Sequence, residues 1–531
     1  MRDTDAPHQG GRNQRQPMHP IKHFRFPGTA GDSRLLPLIV AIAVVAGSTG
    51  CISLAPSEKL PETVAAMPES YDSTMVTGDY APLEWWTAFD DRGLERVVDS
   101  ALTANLDLVA AIARIEEVRG QFRAARGSRF PSVTATGGAN TQDSPANTGA
   151  FSRFLRDSSG TPTITRFKTT TYSLSVGFAY ELDFWGRVRN DTRAALRQAL
   201  ATEADFETAR MGVIAETIST WFEIADLRTR IALAVETIDV LSERVDIAQD
   251  RYDRGLTSSF ELYQIRQDFR NTQAGLPDLE AQLTSAEGRL AVLLGRYPGE
   301  LEGLLPDHLS LDPAFGAVPS GLPADILVQR PDIRAAALRL ESSRLRVGAR
   351  RAELFPAISI SASLGTQSSN TADLINTVDQ WARNLAANIT APIFQGGRIR
   401  ANIAVAEAQY QQAAAAYTKA VLTAYQEVVA ALDANQEQFQ RYTFLRSQLD
   451  EALSAANLQA DRYRSGIGGY TDYLDATRNL FLVRTALSAA GRQYALARLA
   501  VHRALGGAWT DDGLAPRFEM VRSEVPIATA D

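Results

Sequence analysis

Gly397-Arg398-Ile399-Arg400 opens, and Arg462-Tyr463-Arg464-Ser465-Gly466 closes, a run in which 68 residues between the two outer glycines contain neither glycine nor proline. Its filling is Ala, Glu, Gln, Arg and Leu, the residues that lose least on entering a helix. Tyr410, Ala414, Tyr417, Val421, Ala424, Val428 and Ala431 recur at alternating spacings of four and three, a heptad seam. At 1.5 Å per residue such a run predicts one helix of about 100 Å, far longer than a globular domain uses.

The run occurs twice. Gly186-Arg187-Val188-Arg189 leads into another 68 residues that end at Gly255, with Gly212 as the single interior glycine and no proline. Gly186 to Gly397, Arg251-Tyr252 to Arg462-Tyr463, and Leu294-Gly295 to Leu505-Gly506 share an offset of 211. Upstream, Asn105-Leu106-Asp107-Leu108 matches Arg330-Pro331-Asp332-Ile333 and Phe130-Pro131 matches Phe355-Pro356, both offset by 225. Two constant offsets with one step between them mean an internal duplication, with 14 extra residues in the first copy. Helical stretches at 105–130 and 256–294, and again at 330–355 and 467–505, flank the long runs. Stacked end to end, each short pair spans the length of one long helix, which predicts a tall antiparallel bundle.

Between the short and long helices the period changes from 3.6 to 2. Tyr172, Leu174, Val176, Phe178, Tyr180, Leu182 and Phe184 alternate with Ser, Gly, Ala and acidic residues. Ile358, Ile360, Ala362 and Leu364 alternate with serines and Gly365, and weaker strands fall at Val133–Ala139 and Leu385–Ile393. One apolar face and one face of Ser, Gly and Thr suit a barrel wall with lipid outside and water inside. Phe130, Trp185, Phe355, Trp381 and Phe394 bracket the strands as an interfacial girdle does. A soluble sandwich with one buried face is the alternative. Four strands close no membrane barrel, so a barrel requires association: two copies give 8 strands and three give 12.

The rest of the chain narrows the class. It has 531 residues, 45% hydrophobic and 22% charged, with a formal net charge of −8 and no basic block, so nucleic acid is an improbable partner. Of five histidines three (His8, His19, His23) lie in the N-terminal leader, leaving His308 and His502, a poor supply for catalytic or metal chemistry. No cluster of titratable groups marks an active site, and no cofactor is expected.

Arg34 precedes a 13-residue apolar run, Leu35–Gly47, and then Ser48-Thr49-Gly50-Cys51. This reads as a secretory signal peptide over 1–50, too short for a membrane span. Cys51, the single cysteine, stands where a bacterial lipobox places its acylated residue, although Ser48 replaces the usual aliphatic residue. A covalent lipid on Cys51 is therefore expected; an ordinary cleaved signal with an incidental thiol is the alternative. Translation starts at Met1 or Met18.

These motifs together resemble the TolC family of outer-membrane efflux proteins, in its lipid-anchored OprM/NodT-type branch. Trp85-Trp86 with Phe89, Gln329-Arg330-Pro331-Asp332-Ile333, Phe355-Pro356, Phe394-Gln395-Gly396-Gly397-Arg398, and Arg462-Tyr463 with Gly466 carry the resemblance, over about residues 80–508. It implies an α+β membrane protein, a homotrimer with a 12-stranded β-barrel in the outer membrane and an α-helical barrel in the periplasm. It also implies a periplasmic adaptor and an inner-membrane pump as partners. The expected organisation is signal 1–50, lipid-anchored extended segment 51–83, first repeat 84–299, linker 300–322, second repeat 323–508 and tail 509–531.

The resemblance makes the turns at Gly255 and Gly466 the periplasmic tips. Asp472 and Asp475, i and i+3 on one helix face, would form a ring of carboxylates resembling the family's acidic constriction, with Arg462 and Tyr463 as ties that hold the tip closed. Stabilisation of the helix dipole by acidic residues in the first turns is the plain alternative. Gly468 stands where the best-known member has an arginine, so the closing bonds are expected to differ. A passive duct in a tripartite efflux system is the resulting reading, with type I protein secretion and a structural coiled-coil envelope protein as alternatives; Ser/Thr/Asn-rich 141–171 reads as a tolerated external loop.

Overall fold

A computed structural model describes residues 54–57, 85–145, 166–301, 304–305, 330–375 and 380–506. Cys51 and the signal segment lie outside the described residues. After a 3-10 turn at Trp85–Phe89, the order is α1 (Arg92–Ala104), α2 (Leu106–Gly127), β1 (Ser132–Pro145), β2 (Arg166–Leu182), α3 (Arg187–Asp253) and α4 (Ser259–Leu293). The second half follows with α5 (Pro331–Ala352), β3 (Ala357–Ser368), a 3-10 turn at Thr371–Ile375, β4 (Trp381–Thr390), α6 (Arg398–Arg464) and α7 (Tyr470–Ala504).

The duplication is physical at every joint. Both long helices have 67 residues and start behind a left-handed glycine, Gly186 (φ 75°) and Gly397 (φ 81°). Both stop at a left-handed glycine, Gly255 (φ 74°) and Gly466 (φ 72°), and the return helices stop at Gly295 and Gly506. At the tips the closure is a Schellman motif: the Leu256 amide donates to the Arg251 carbonyl (2.8 Å), as the Ile467 amide does to that of Arg462 (3.0 Å). A β-carbon at these positions would strain the turn, which is why the periodic sequence is punctuated there.

Helix α1 had no separate signal in the sequence and has no described counterpart in the second half. Asp91 caps it by accepting from the Gly93 and Leu94 amides and also takes the Trp221 indole N–H (3.0 Å). Its apolar side, with Trp85, Trp86 and Phe89, packs on the middle of α3 around Trp221. Trp85 stacks on His502 of α7 at 5.4 Å. The paired tryptophans thus anchor the N-terminal region to both halves of the bundle.

The four strands form one antiparallel sheet in the order β1-β2-β3-β4, with β2–β3 joining the two halves. Register aligns the faces: Val133 opposes Phe178, Phe178 opposes Ala362, and Ala362 opposes Leu385. The apolar face stays uncovered, with Val133 69%, Leu174 56%, Leu364 61% and Leu385 80% exposed. On the other face Ser175 opposes Thr136 and Gly365, and Ser361 opposes Ala179 and Ala386. Among the described residues no helix is long and apolar enough to cross a membrane.

Candidate functional site: the helix tips and the joint beneath the sheet

Two regions collect the polar side chains that the fold brings together. The first is the tip where α3 turns into α4 and α6 into α7. There Leu241, Ala248, Leu262 and Ile265 of the first hairpin close a small core with Tyr470, Tyr473 and Leu474 of the second. Tyr463 stacks on Tyr473 (5.6 Å, 11°) and accepts a hydrogen bond at its hydroxyl from the Arg251 guanidinium (2.7 Å). Arg251 also sits over the Tyr463 ring at 5.6 Å, and Arg244 over Tyr473 at 5.1 Å. Arg478 of α7 pairs with Asp268 of α4. At the tip the two hairpins are thus tied by cations lying on aromatic rings and by the Arg478–Asp268 pair, and farther up α7 by Arg484–Glu236.

The tip residues named from sequence divide. Tyr463 faces the opposite hairpin, whereas its duplicate Tyr252 is exposed. Arg462 acts through its carbonyl, which accepts from the Ile467 and Gly468 amides; its side chain is exposed, and the guanidinium groups over the tip tyrosines are those of Arg251 and Arg244. Asp472 and Asp475 are both exposed on α7, and Asp475 lies 3.6 Å from Arg478. Their first-half counterparts differ: Glu261 is held by Thr257 beside the tip turn. Tyr470 was not singled out from sequence. Burial pushes its hydroxyl well above the ordinary tyrosine range, with Asp268 adding to the effect, and the hydroxyl has no hydrogen-bond partner among the described residues.

The second region is the joint that the Arg-Pro-Asp-Ile motif builds. Pro331 sits at the first turn of α5, where its missing N–H costs nothing. The buried Arg330 guanidinium donates to the Ala504 carbonyl at the end of α7 (2.8 Å), to both oxygens of Asp332 (3.1 and 2.8 Å) and to Glu427 of α6 (2.7 Å). In the first half Asn105 makes the duplicate contact, donating to the Leu293 carbonyl (3.0 Å) while its side-chain oxygen caps α2. The same joint is made by an amide once and by a charged fork once.

A third feature lies closer to the sheet. Residues 54–57 run along α5, where Arg344 donates to the Pro56 carbonyl (3.0 Å) and Arg351 to that of Leu54 (3.5 Å). Gly348 admits them: a β-carbon there would meet the Ala55 amide at 2.8 Å. Among the described residues no group of three or more His, Cys, Asp or Glu is placed to hold a metal ion.

The family model described as outer membrane efflux protein matches residues 97–296 and 322–507, the two copies of the duplication. The chain belongs to the outer-membrane efflux protein family. The outer membrane protein OprJ of Pseudomonas aeruginosa is 31% identical to the efflux protein over 491 residues, 89% of this chain and 96% of that one. The solvent efflux pump outer membrane protein SrpC of Pseudomonas putida is 31% identical over 424 residues, covering 80% and 87%. A crystal structure of a membrane protein from Pseudomonas aeruginosa superposes with a TM-score of 0.77 at 30% identity, covering 86% of this chain and 98% of that one. The efflux protein therefore has the duplicated TolC-type fold of a Gram-negative outer-membrane channel.

Proposed function

We propose that three copies of this chain form one duct, closed at rest at the helix tips, that carries small molecules across the outer membrane. A periplasmic adaptor and an inner-membrane pump deliver the cargo and supply the energy, so the duct performs no catalysis. The observation that carries this reading is the sheet: one continuous apolar face, one polar face, and two unpaired edges, β1 and β4. An exposed apolar sheet with open edges is unstable in water and has no place in lipid until its edges pair. Three copies of a four-stranded sheet make a 12-stranded barrel.

The helices support the same assembly. Helix α3 is flanked by α2 and α4 on one side and by α5 and α7 on the other. Among the described residues helix α6 packs chiefly on α5 and α7, and its free flank exposes Leu422 (52%) and Phe444 (72%). By the internal repeat, the missing neighbours of α6 are the α2 and α4 helices of the next copy, whose Leu106, Val109 and Ile112 are exposed. The name of SrpC as a solvent efflux pump component favours small-molecule cargo over protein.

Cys51 carries the lipid in this reading. Leu54 lies against Arg351, close to the start of β3 at Ala357, and three residues of chain give Cys51 a reach of about 10 Å beyond it. An acyl chain would enter the periplasmic face of the bilayer around the barrel. Intact-mass measurement of wild type and Cys51→Ser tests this; equal masses after signal removal would discard the anchor.

The closed tip is held by Arg251–Tyr463, Arg244–Tyr473 and Arg478–Asp268, with Asp472 and Asp475 bringing six carboxylates to the axis of a trimer. Planar-bilayer conductance of the oligomer should be small and cation-preferring, and should grow or lose that preference in Asp472→Ala/Asp475→Ala. Channels that ignore the double change keep the duct and discard the aspartates as its filter.

A further inference from the structure

The polar face of the sheet is almost without charge. Its described side chains are Ser, Thr, Asn, Gln, Gly and Ala on all four strands, with one exception, Glu181 near the end of β2. Glu181 opposes Ser359, which opposes Asn388, so it belongs to the same face as the hydroxyl and amide rows. It does not stand alone. Arg187, the first residue of α3, holds it in a two-pronged grip, Nε to one oxygen at 3.1 Å and Nη2 to the other at 2.8 Å.

Of the neighbouring charges, Asp191, one turn along α3, also acts on Arg187, while the others are engaged elsewhere. Asp183 accepts from the Val188 and Arg189 amides and caps α3, Arg351 pairs with Glu407, and Arg350 pairs with Glu353. The pair is also unduplicated: 211 residues on stand Pro392 and Arg398, and Arg398 turns to Gln395. Glu181 and Arg187 remain 36% and 38% exposed, and ion pairs that open to solvent add little stability. What they contribute is the field at the mouth of the sheet.

We propose that the Glu181–Arg187 pair sets the charge selectivity of the duct where the barrel meets the helices. This rests on the duct reading above. One neutral pair per copy leaves that mouth passable to solutes of either sign, so charge discrimination falls to the tips. Loss of the arginine would bare a ring of carboxylates, which draws cations and resists anions; loss of the glutamate would bare a ring of guanidinium groups with the opposite effect.

The test is the reversal potential across planar bilayers under a salt gradient, with Arg187→Gln, Glu181→Gln and the double variant. It is run in an Asp472→Asn/Asp475→Asn background so that tip carboxylates do not mask the result. Salt near 10 mM keeps the screening length at about 30 Å, wide enough for a wall charge to act across a pore. The expected result is a shift toward cations for Arg187→Gln, toward anions for Glu181→Gln, and a return to the parent value for the double variant. Shifts of the same sign, or none in either single variant, would overturn the assignment, because a purely structural pair has no reason to move the two in opposite directions. A parent oligomer that conducts nothing would sink the duct itself and this role with it.

Discussion

At the residue scale, the duplicated joint explains side chains that periodicity leaves unexplained. Arg330 is buried yet fully used, satisfying a helix-end carbonyl and two carboxylates at once. Arg330→Ala strips the Ala504 carbonyl of its donor, while Asp332 and Glu427 are open enough to rehydrate. The expected loss is about 2–3 kcal/mol in an unfolding titration, and Arg330→Lys should recover only part because an ammonium cannot fork. His502 is enclosed by Trp85 and Phe89, and burial, with Arg498 second, pushes its pKa down to about 4. Below an unfolded value near 6.5 the unfolded chain binds a proton that the folded chain refuses. Stability is therefore complete above pH 6.5 and falls as pH drops toward 4, by up to about 3 kcal/mol. Thermal unfolding from pH 7.5 to 4.5 should show this slope, and a His502→Leu variant should show less of it.

At the element scale, the two faces of the sheet demand opposite chemistry. Leu364→Arg sets a charge on the apolar face, for which a barrel in lipid loses about 2–4 kcal/mol near the bilayer midplane. Ser363→Arg, one residue away, meets water on the polar face and should assemble nearly as well as wild type. Outer-membrane yield and folding into vesicles compare the two directly. Equal damage from both would mean that the sheet is packed on both faces and is no barrel wall. The long helices obey a different rule, since a heptad seam and not an alternating face carries their buried side chains. Of the α6 seam read from sequence, Tyr417, Val421, Ala424, Val428 and Ala431 are buried, while Tyr410 and Ala414 are half-buried.

At the scale of the whole molecule, the proposed assembly makes one chain a part of a ring. Each half offers a long helix that needs short helices on both flanks, and only α3 finds both within the chain. Leu422→Asp/Phe444→Asp places charge on the free flank of α6. The expected outcome in light scattering is loss of the oligomer with secondary structure retained. An unchanged oligomer would move the contact between copies away from α6.

The sequence by itself determined the described helices and strands other than α1, and their order. Glycine and proline punctuate an otherwise unbroken helical pattern, alternation switches to period two at the strands, and a constant offset of 211 reveals the repeat, all of which are local signals. Tertiary structure decided which side chains meet. Arg251 rather than Arg462 reaches Tyr463, because the partner comes from a hairpin 212 residues away and rotation about the long helix axes, not spacing, aims it. The buried Tyr470, the Asn105 and Arg330 joints, and the Glu181–Arg187 pair are likewise products of packing between distant segments. Helix α1 is a product of packing as well: thirteen residues carry too few turns for a periodic signal of their own, and Trp221 and the paired tryptophans give its apolar side something to cover.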